Sequence, residues 1–154
     1  MQPQDDTNKF TQDGFLGDKL RLKQPLDGFR SGHDAVLLAA SASPPQEGHI
    51  IELGSGSGVA SLCFAARRTD AQITGLEIDD NMVALASRNA MDNDLSARAH
   101  FKVADVLGSF NDMHLVANSF DEVIANPPFY ETGAVPDMAH DCLLYTSPSP
   151  RDRG

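Results

Sequence analysis

Apolar and polar positions alternate with two different periods along this chain. Short apolar runs at 49–53, 72–77, 97–103 and 121–125 read as strands. The stretches 59–67 and 81–91 carry the spacing of helices, the second with Met82, Leu85, Ala86 and Asn89 along one side. The segment 106–116 is ambiguous and admits one short helix. Upstream, polar and apolar residues alternate around a glycine through 13–17 and 20–25, which predicts a hairpin. A glycine-flanked loop at 26–32 leads into a helix at 34–42, with Ser31 or Asp34 available as its cap and Pro44-Pro45 ending it. Strand-helix alternation with short apolar strands predicts an α/β fold, a mostly parallel sheet with helices on both faces. No internal repeat interrupts it.

Composition narrows the class. A chain of 154 residues suits one domain, and 41% hydrophobic residues suffice for a core. The longest apolar stretch, 35–42, is soon broken by Ser43-Pro44-Pro45, so no membrane span is expected, and the polar amino terminus predicts no signal peptide. Cys63 and Cys142 form neither a metal spacing nor a disulfide framework, which makes a reducing cytosol the default. Cys63 suits a small core residue. His33, His49, His100, His114 and His140 are not at ligand spacing, so no metal is expected. Asp79-Asp80 suits a helix cap.

The formal net charge of −10 argues against a nucleic-acid binder of the whole-surface kind. Lys19, Arg21, Lys23 and Arg30 nevertheless cluster near the start. A solvated hairpin face is the simpler reading, and a local phosphate-contacting arm the sharper one. Residues 1–12 read as a disordered tail. Residues 142–154 have a linker-like Ser/Pro content and resemble a translated library adapter, so they read as a non-native-looking tail outside the fold.

Chemistry-bearing residues gather where the predicted strands end. Ile50 to Leu53 runs into Gly54-Ser55-Gly56-Ser57-Gly58 and then a helix, a strand-loop-helix in which glycines let a ligand approach backbone N–H groups. Glu77 ends the next strand, where an acid can bond both hydroxyls of a ribose. The loop lacks the Gly-Lys-Ser/Thr of a phosphate loop, which disfavours nucleotide triphosphate hydrolysis. These two features alone leave a dinucleotide site open. The Gly-x-Gly-x-Gly spacing and the acid Glu52 before it weigh against one, since Glu52 suits a cationic ligand such as a sulfonium. Asp105, after the third strand, could accept from an adenine amine. For Glu52 or Asp105 alone, an ordinary solvated or capping carboxylate is the simpler reading. After the fourth strand stands Asn126-Pro127-Pro128-Phe129-Tyr130. Two prolines make this a rigid loop. A carboxamide oxygen and a backbone carbonyl there can accept from an exocyclic amine while an aromatic ring stacks on the base.

Taken in order, Glu52 through Gly58, Glu77, Asp105 and Asn126 to Phe129 resemble a class I S-adenosylmethionine-dependent methyltransferase, with a Rossmann-like fold. The run Gln24-Pro25-Leu26-Asp27-Gly28-Phe29-Arg30-Ser31-Gly32-His33-Asp34-Ala35-Val36-Leu37-Leu38 resembles the corresponding segment of the bacterial tRNA(Val) adenine-37 N6-methyltransferase family, and 132–140 resembles that family's continuation. The resemblance implies S-adenosyl-L-methionine as cofactor and a nucleic acid, tRNA, as substrate. It implies Asn126, Pro127, Pro128 and Phe129 as the catalytic loop. Glu52, Gly54, Gly56, Gly58, Glu77 and Asp105 would hold the cofactor, with Arg30 and Asp34 closing over it. Residues 13–32 would form the hairpin and the segment leading to the cofactor, and 33–141 a partial methyltransferase domain, because family members continue into further strands. Other methyltransferases with such a loop, acting on ribosomal guanine N2, DNA adenine N6 or protein glutamine, are alternatives. An inactive truncated fragment is another.

Overall fold

The alternating segment at the start folds as an antiparallel hairpin of β1 (Phe10–Phe15) and β2 (Leu20–Pro25). The computed structural model describes residues 9–127. After the hairpin come α1 (His33–Ser41), β3 (His49–Leu53), α2 (Val59–Arg67), β4 (Gln72–Glu77), α3 (Asp80–Asp92), β5 (Ala99–Val103) and β6 (Glu122–Ala125). The last four strands form a parallel sheet in the order β5-β4-β3-β6. Among the described residues β6 is paired on one side only, with β3.

Side chains alternate across this sheet and divide the interior in two. Ile50, Ile73, Ala99 and Ile124 join the buried faces of α1, α2 and α3 in the main core. Ile51, Leu76 and Ala104 point the other way, against Leu53 and against Met113, Leu115 and Phe120 from the connection after β5. The expectation of helices on both faces is therefore corrected for the described residues: the helices share one core, and the opposite face is covered by irregular chain. α2 is buried from Val59 through Ala65, which explains its apolar composition all round. Arg67 donates to the carbonyls of Ala39 and Ala42 at the end of α1, and Arg98 to those of Ala65 and Arg68 at the end of α2, so carbonyls at both ends are met by a neighbouring guanidinium.

Three further expectations are corrected. The hairpin begins at Phe10, so residues 10–12 belong to β1 and not to a tail. The stretch 106–116 contains no helix. There Asp105 Oδ1 accepts from the Leu107 N–H and Ser109 Oγ from the Asn111 N–H, local bonds that compete with a helical ladder, and His114 adopts a φ of 49°. Neither Ser31 nor Asp34 caps α1. Gly32 holds that position and has no side chain to offer, while the Ser31 main chain one residue earlier is engaged by Gln24. Asp79 does cap α3, accepting from the Asn81 N–H at 2.9 Å.

The hairpin is fastened to the domain through β2. Leu20 and Leu22 enter the main core, and α3 offers two asparagines one turn apart to the β2 backbone. Asn89 Oδ1 accepts from the Lys23 N–H at 2.8 Å while its Nδ2 donates to the Lys23 carbonyl at 2.9 Å. Asn93 treats Arg21 the same way, at 3.0 Å for each bond.

Candidate functional site

Strand register brings the chemistry-bearing residues to one edge of the sheet. Leu53 stands opposite both Leu76 of β4 and Ala125 of β6, and Glu77 stands opposite Val103 of β5. The residues that follow therefore leave the sheet side by side. Across the edge the order is Asp105, Glu77, Gly54 and Asn126. In an open parallel sheet this carboxyl edge is where ligands sit.

The glycine loop between β3 and α2 is held from behind. Gly54 and Ser55 donate their N–H groups to the Leu76 carbonyl at 2.8 and 2.9 Å, and Gly58 donates to the Ser55 carbonyl. Gly54, Gly56 and Gly58 all have positive φ, at 71°, 53° and 86°. At Gly58 a side chain is excluded twice over: the backbone is left-handed, and a Cβ would lie 2.8 Å from the Phe101 ring and 3.0 Å from Ala86. In front, positions 54 and 56 open onto free space. The backbone is thus packed at Gly58, on its core side, and open at Gly54 and Gly56.

Glu77 serves both the loop and its own chain. Its Oε2 accepts from the Gly56 N–H at 2.8 Å, and its Oε1 from the N–H groups of Ile78 and Asp79 at 2.8 and 3.1 Å. The carboxylate remains partly exposed. Glu52 is different. It is buried, with 2% of its surface exposed, and points to the helix side, where the Ser61 hydroxyl donates to it. Burial raises its carboxyl to about 7; the Ser61 hydrogen bonds oppose the rise and the Glu77 charge adds to it. Burial, then the charge of Glu52, likewise pushes the Cys63 thiol up to about 12, which suits an inert core residue.

The remaining expected residues divide. Asp105 is exposed beside the β5 end, with Oδ1 taken by Leu107. Asn126 is half-buried and Pro127 exposed directly after β6. Pro128, Phe129 and Tyr130 lie outside the described residues. Arg30 is not gathered into the strand-end cluster: its guanidinium pairs with Asp13 of β1 at 2.7 Å. Burial pushes Asp13 up, but hydrogen bonds from Gln24, Arg30 and Thr11 outweigh it and hold the carboxyl below its ordinary value. Asp34 is exposed in the first turn of α1, with no hydrogen bond or ion pair to a described residue. Lys23 pairs with Asp92 at 3.7 Å, so the basic cluster of the hairpin is partly neutralised.

Sequence reasoning missed three contributors. Ser61 partners Glu52, and Asn89 donates to the Ser57 carbonyl of the glycine loop at 3.0 Å. Gly75 lets the loop lie on β4, since a Cβ there would come within 2.7 Å of Ser55 and of Phe101. A polar residue among buried helix positions, as at Asn89, was the available signal. No helix among the described residues is long and apolar enough to cross a membrane, and no group of three or more His, Cys, Asp or Glu among them could hold a metal.

Comparison with known proteins agrees with this architecture. The crystal structure of a predicted O-methyltransferase from Agrobacterium tumefaciens superposes with a TM-score of 0.57 at 34% identity, covering 62% of this chain and 49% of that one. The TYW2 protein of P. horikoshii, in complex with MeSAdo, shares the fold at a TM-score of 0.54 and 18% identity, over 64% of this chain and 37% of that one. Among curated proteins, the tRNA1(Val) (adenine(37)-N6)-methyltransferase of Mannheimia succiniciproducens is 30% identical over 141 residues, 90% of this chain and 57% of its own length. That of Vibrio parahaemolyticus is 29% identical over 127 residues, 82% and 51% respectively. The chain spans about half the length of the curated relatives it matches. A family model described as the methyltransferase small domain matches residues 32–149. With a glycine loop, a strand-end acid and an Asn-Pro loop on adjoining parallel strands, and with that match over most of its length, the chain belongs to the methyltransferase small domain family.

Proposed function

We propose that this chain is an S-adenosylmethionine-dependent N-methyltransferase of the cytosol that acts on an exocyclic amine, adenine N6 in tRNA. The observation that carries the reading is the strand register that starts the loops after β3 and β6 side by side, Gly54 beside Asn126. A cofactor on the glycine loop and an amine on the Asn-Pro loop would then be neighbours. The tRNA substrate rests on the relatives named above, which act on adenine in tRNA1(Val) by name.

The residues present fit the cofactor. Gly54 and Gly56 face open space in which a ligand can approach the main chain, and Glu77 offers a carboxylate to ribose hydroxyls. Asp105 has one oxygen without a partner among the described residues, which suits an adenine amine. Glu77 and Asp105 bring carboxylates to the strand-end edge, as a sulfonium or ammonium group requires, whereas Glu52 is buried on the helix side. The cofactor, when bound, supplies an electrophilic methyl group.

The chain's own part is positioning. An adenine amine is a weak nucleophile because its lone pair is delocalised into the ring. The Asn126 side-chain oxygen and the Pro127 carbonyl would accept its two protons, turning the lone pair toward the methyl and meeting the positive charge that develops on nitrogen. Methyl transfer would form the N–C bond as the methyl left sulfur, and the surplus amine proton, held at Asn126 or the Pro127 carbonyl, would pass to solvent. Phe129 would stack on the base once it has left its own stack.

The test is methyl transfer from radiolabelled cofactor to unmodified tRNA, with ribosomal RNA, DNA and a release factor as competing acceptors. Label in tRNA adenine is the expected result. Label in the release factor alone overturns the substrate. Calorimetric titration with S-adenosylhomocysteine separates the two halves of the reading, since no binding at all overturns the cofactor assignment.

A further inference from the structure

The amide of Asn89 does more than fasten the hairpin. It is 1% exposed and makes three hydrogen bonds through one carboxamide. Two go to the main chain of Lys23 in β2. The third, from Nδ2 at 3.0 Å, goes to the carbonyl of Ser57, between Gly56 and Gly58. Asn93 provides the internal comparison. It grips Arg21 through the same pair of bonds, but its additional bond returns to the Asn89 carbonyl of its own helix. Fastening β2 therefore needs only the pair of bonds that Asn93 makes, and the Ser57 bond is surplus to that task.

The placement of that bond gives it a role. The loop is held at two polar points on adjacent residues: Glu77 accepts from the Gly56 N–H, and Asn89 donates to the Ser57 carbonyl. Glu77 is the group proposed to take ribose hydroxyls, so a ligand competes for its oxygens. Asn89 is buried and faces no ligand, so its hold persists when that of Glu77 is shared. Ala86, one turn earlier on α3, lies where a Cβ on Gly58 would clash, which places this helix directly behind the loop.

We infer that Asn89 is a positioning residue for the cofactor loop: it fixes the Ser57–Gly58 peptide and locks the glycine loop to the hairpin that leads to Arg30. The inference rests on the cofactor reading above for its consequence, but not for its geometry. An unmet buried carbonyl at Ser57 would let that peptide turn, and the loop would then present its front differently.

The experiment compares Asn89→Asp with Asn93→Ala in the full chain, by thermal melting, by titration with S-adenosylhomocysteine and by amide hydrogen exchange across residues 54–58. Asn89→Asp keeps the acceptor for the Lys23 N–H but loses the donor to the Ser57 and Lys23 carbonyls, whereas Asn93→Ala removes both bonds to Arg21 and leaves Ser57 held. It is expected to weaken S-adenosylhomocysteine by about tenfold or more and to speed exchange in the loop. Asn93→Ala is expected to lower the melting temperature while leaving affinity and loop exchange as they were. Equal effects of the two variants on the loop, or wild-type affinity and protection in Asn89→Asp, overturn the inference. If Asn89→Asp does not fold, the wild-type protein decides: its Asn89 side-chain amide protons are expected to exchange slowly and to shift on ligand addition, and fast exchange with no shift overturns the role. Should the wild type bind no S-adenosylhomocysteine, the cofactor reading falls, and the contrast in loop exchange between the variants still decides whether Asn89 holds the loop.

Discussion

The Ser61 hydroxyl in the first turn of α2 donates to the Glu52 carboxyl at the end of β3, and both side chains are buried. Burial raises this carboxyl from its ordinary 4.5 to about 7. The folded protein therefore binds a proton there more tightly than the unfolded chain does. A raised acid contributes stability that is complete below about pH 4.5 and is lost progressively as the pH rises toward about 7. Glu52→Gln keeps an acceptor for Ser61 and removes the titration. The stability difference between wild type and Glu52→Gln, from urea melts across that range, is expected to shift against the wild type as pH rises and to level off above about 7. A difference independent of pH would mean that Glu52 titrates in the fold as it does in the unfolded chain.

Glu77→Ala tests the ribose assignment. The change removes a carboxylate that also holds the Gly56 N–H. Affinity for S-adenosylhomocysteine is expected to fall by roughly tenfold to a hundredfold, the loss of charge-assisted hydrogen bonds, while turnover at saturating cofactor falls less. Calorimetry together with steady-state kinetics checks this. An equal loss of rate with unchanged affinity contradicts the assignment.

What could be read from residue order was uneven, for physical reasons. The elements 49–53, 59–67 and 72–77 match to the residue; the first two are bounded by Gly48 and Gly54 and by Gly58 and Arg68, and the third carries Ile73 and Leu76 between polar ends, Gln72 and Glu77. The strand-end series of Glu77, Asp105 and Asn126 was legible because parallel strands deliver their loops to one edge. The stretch 106–116 was not, since side chains there bond the main chain within two residues and override a weak helical period. Arg30 was placed at the cofactor by resemblance, but its nearest acid, Asp13, lies across the hairpin fold. A polar Asn89 on the buried side of its helix was a signal that it has a partner, but not of which one, because Lys23 is 66 positions away and the bond is to backbone.

Gly75 offers a stability test free of any ligand. A Cβ at this position of β4 meets Ser55 and Phe101 at 2.7 Å, closer than contacting carbons allow. Gly75→Ala must push the glycine loop off the sheet or tilt Phe101, at a cost of about 1–3 kcal/mol for an overpacked site. The melting temperature is expected to fall, and loop exchange to rise, since Ser55 belongs to the loop. Unchanged stability would show that the Ser55 side chain has room to turn away.

Asn126→Ala addresses the chemistry itself. Asn126 follows the last residue of β6, level with Gly54, and its side chain is proposed to accept a proton of the target amine. The cofactor residues lie on the other three loops, so the substitution should leave S-adenosylhomocysteine affinity nearly intact. Removing one preorganised acceptor at a centre where charge develops is expected to lower the methyl-transfer rate by about a hundredfold or more. Single-turnover transfer to tRNA under saturating cofactor, beside calorimetry on the same preparation, separates the two effects. Unchanged turnover would remove Asn126 from the reaction and leave the amine to be held by backbone alone. A parallel loss of cofactor affinity would move Asn126 from the substrate side of the site to the cofactor side.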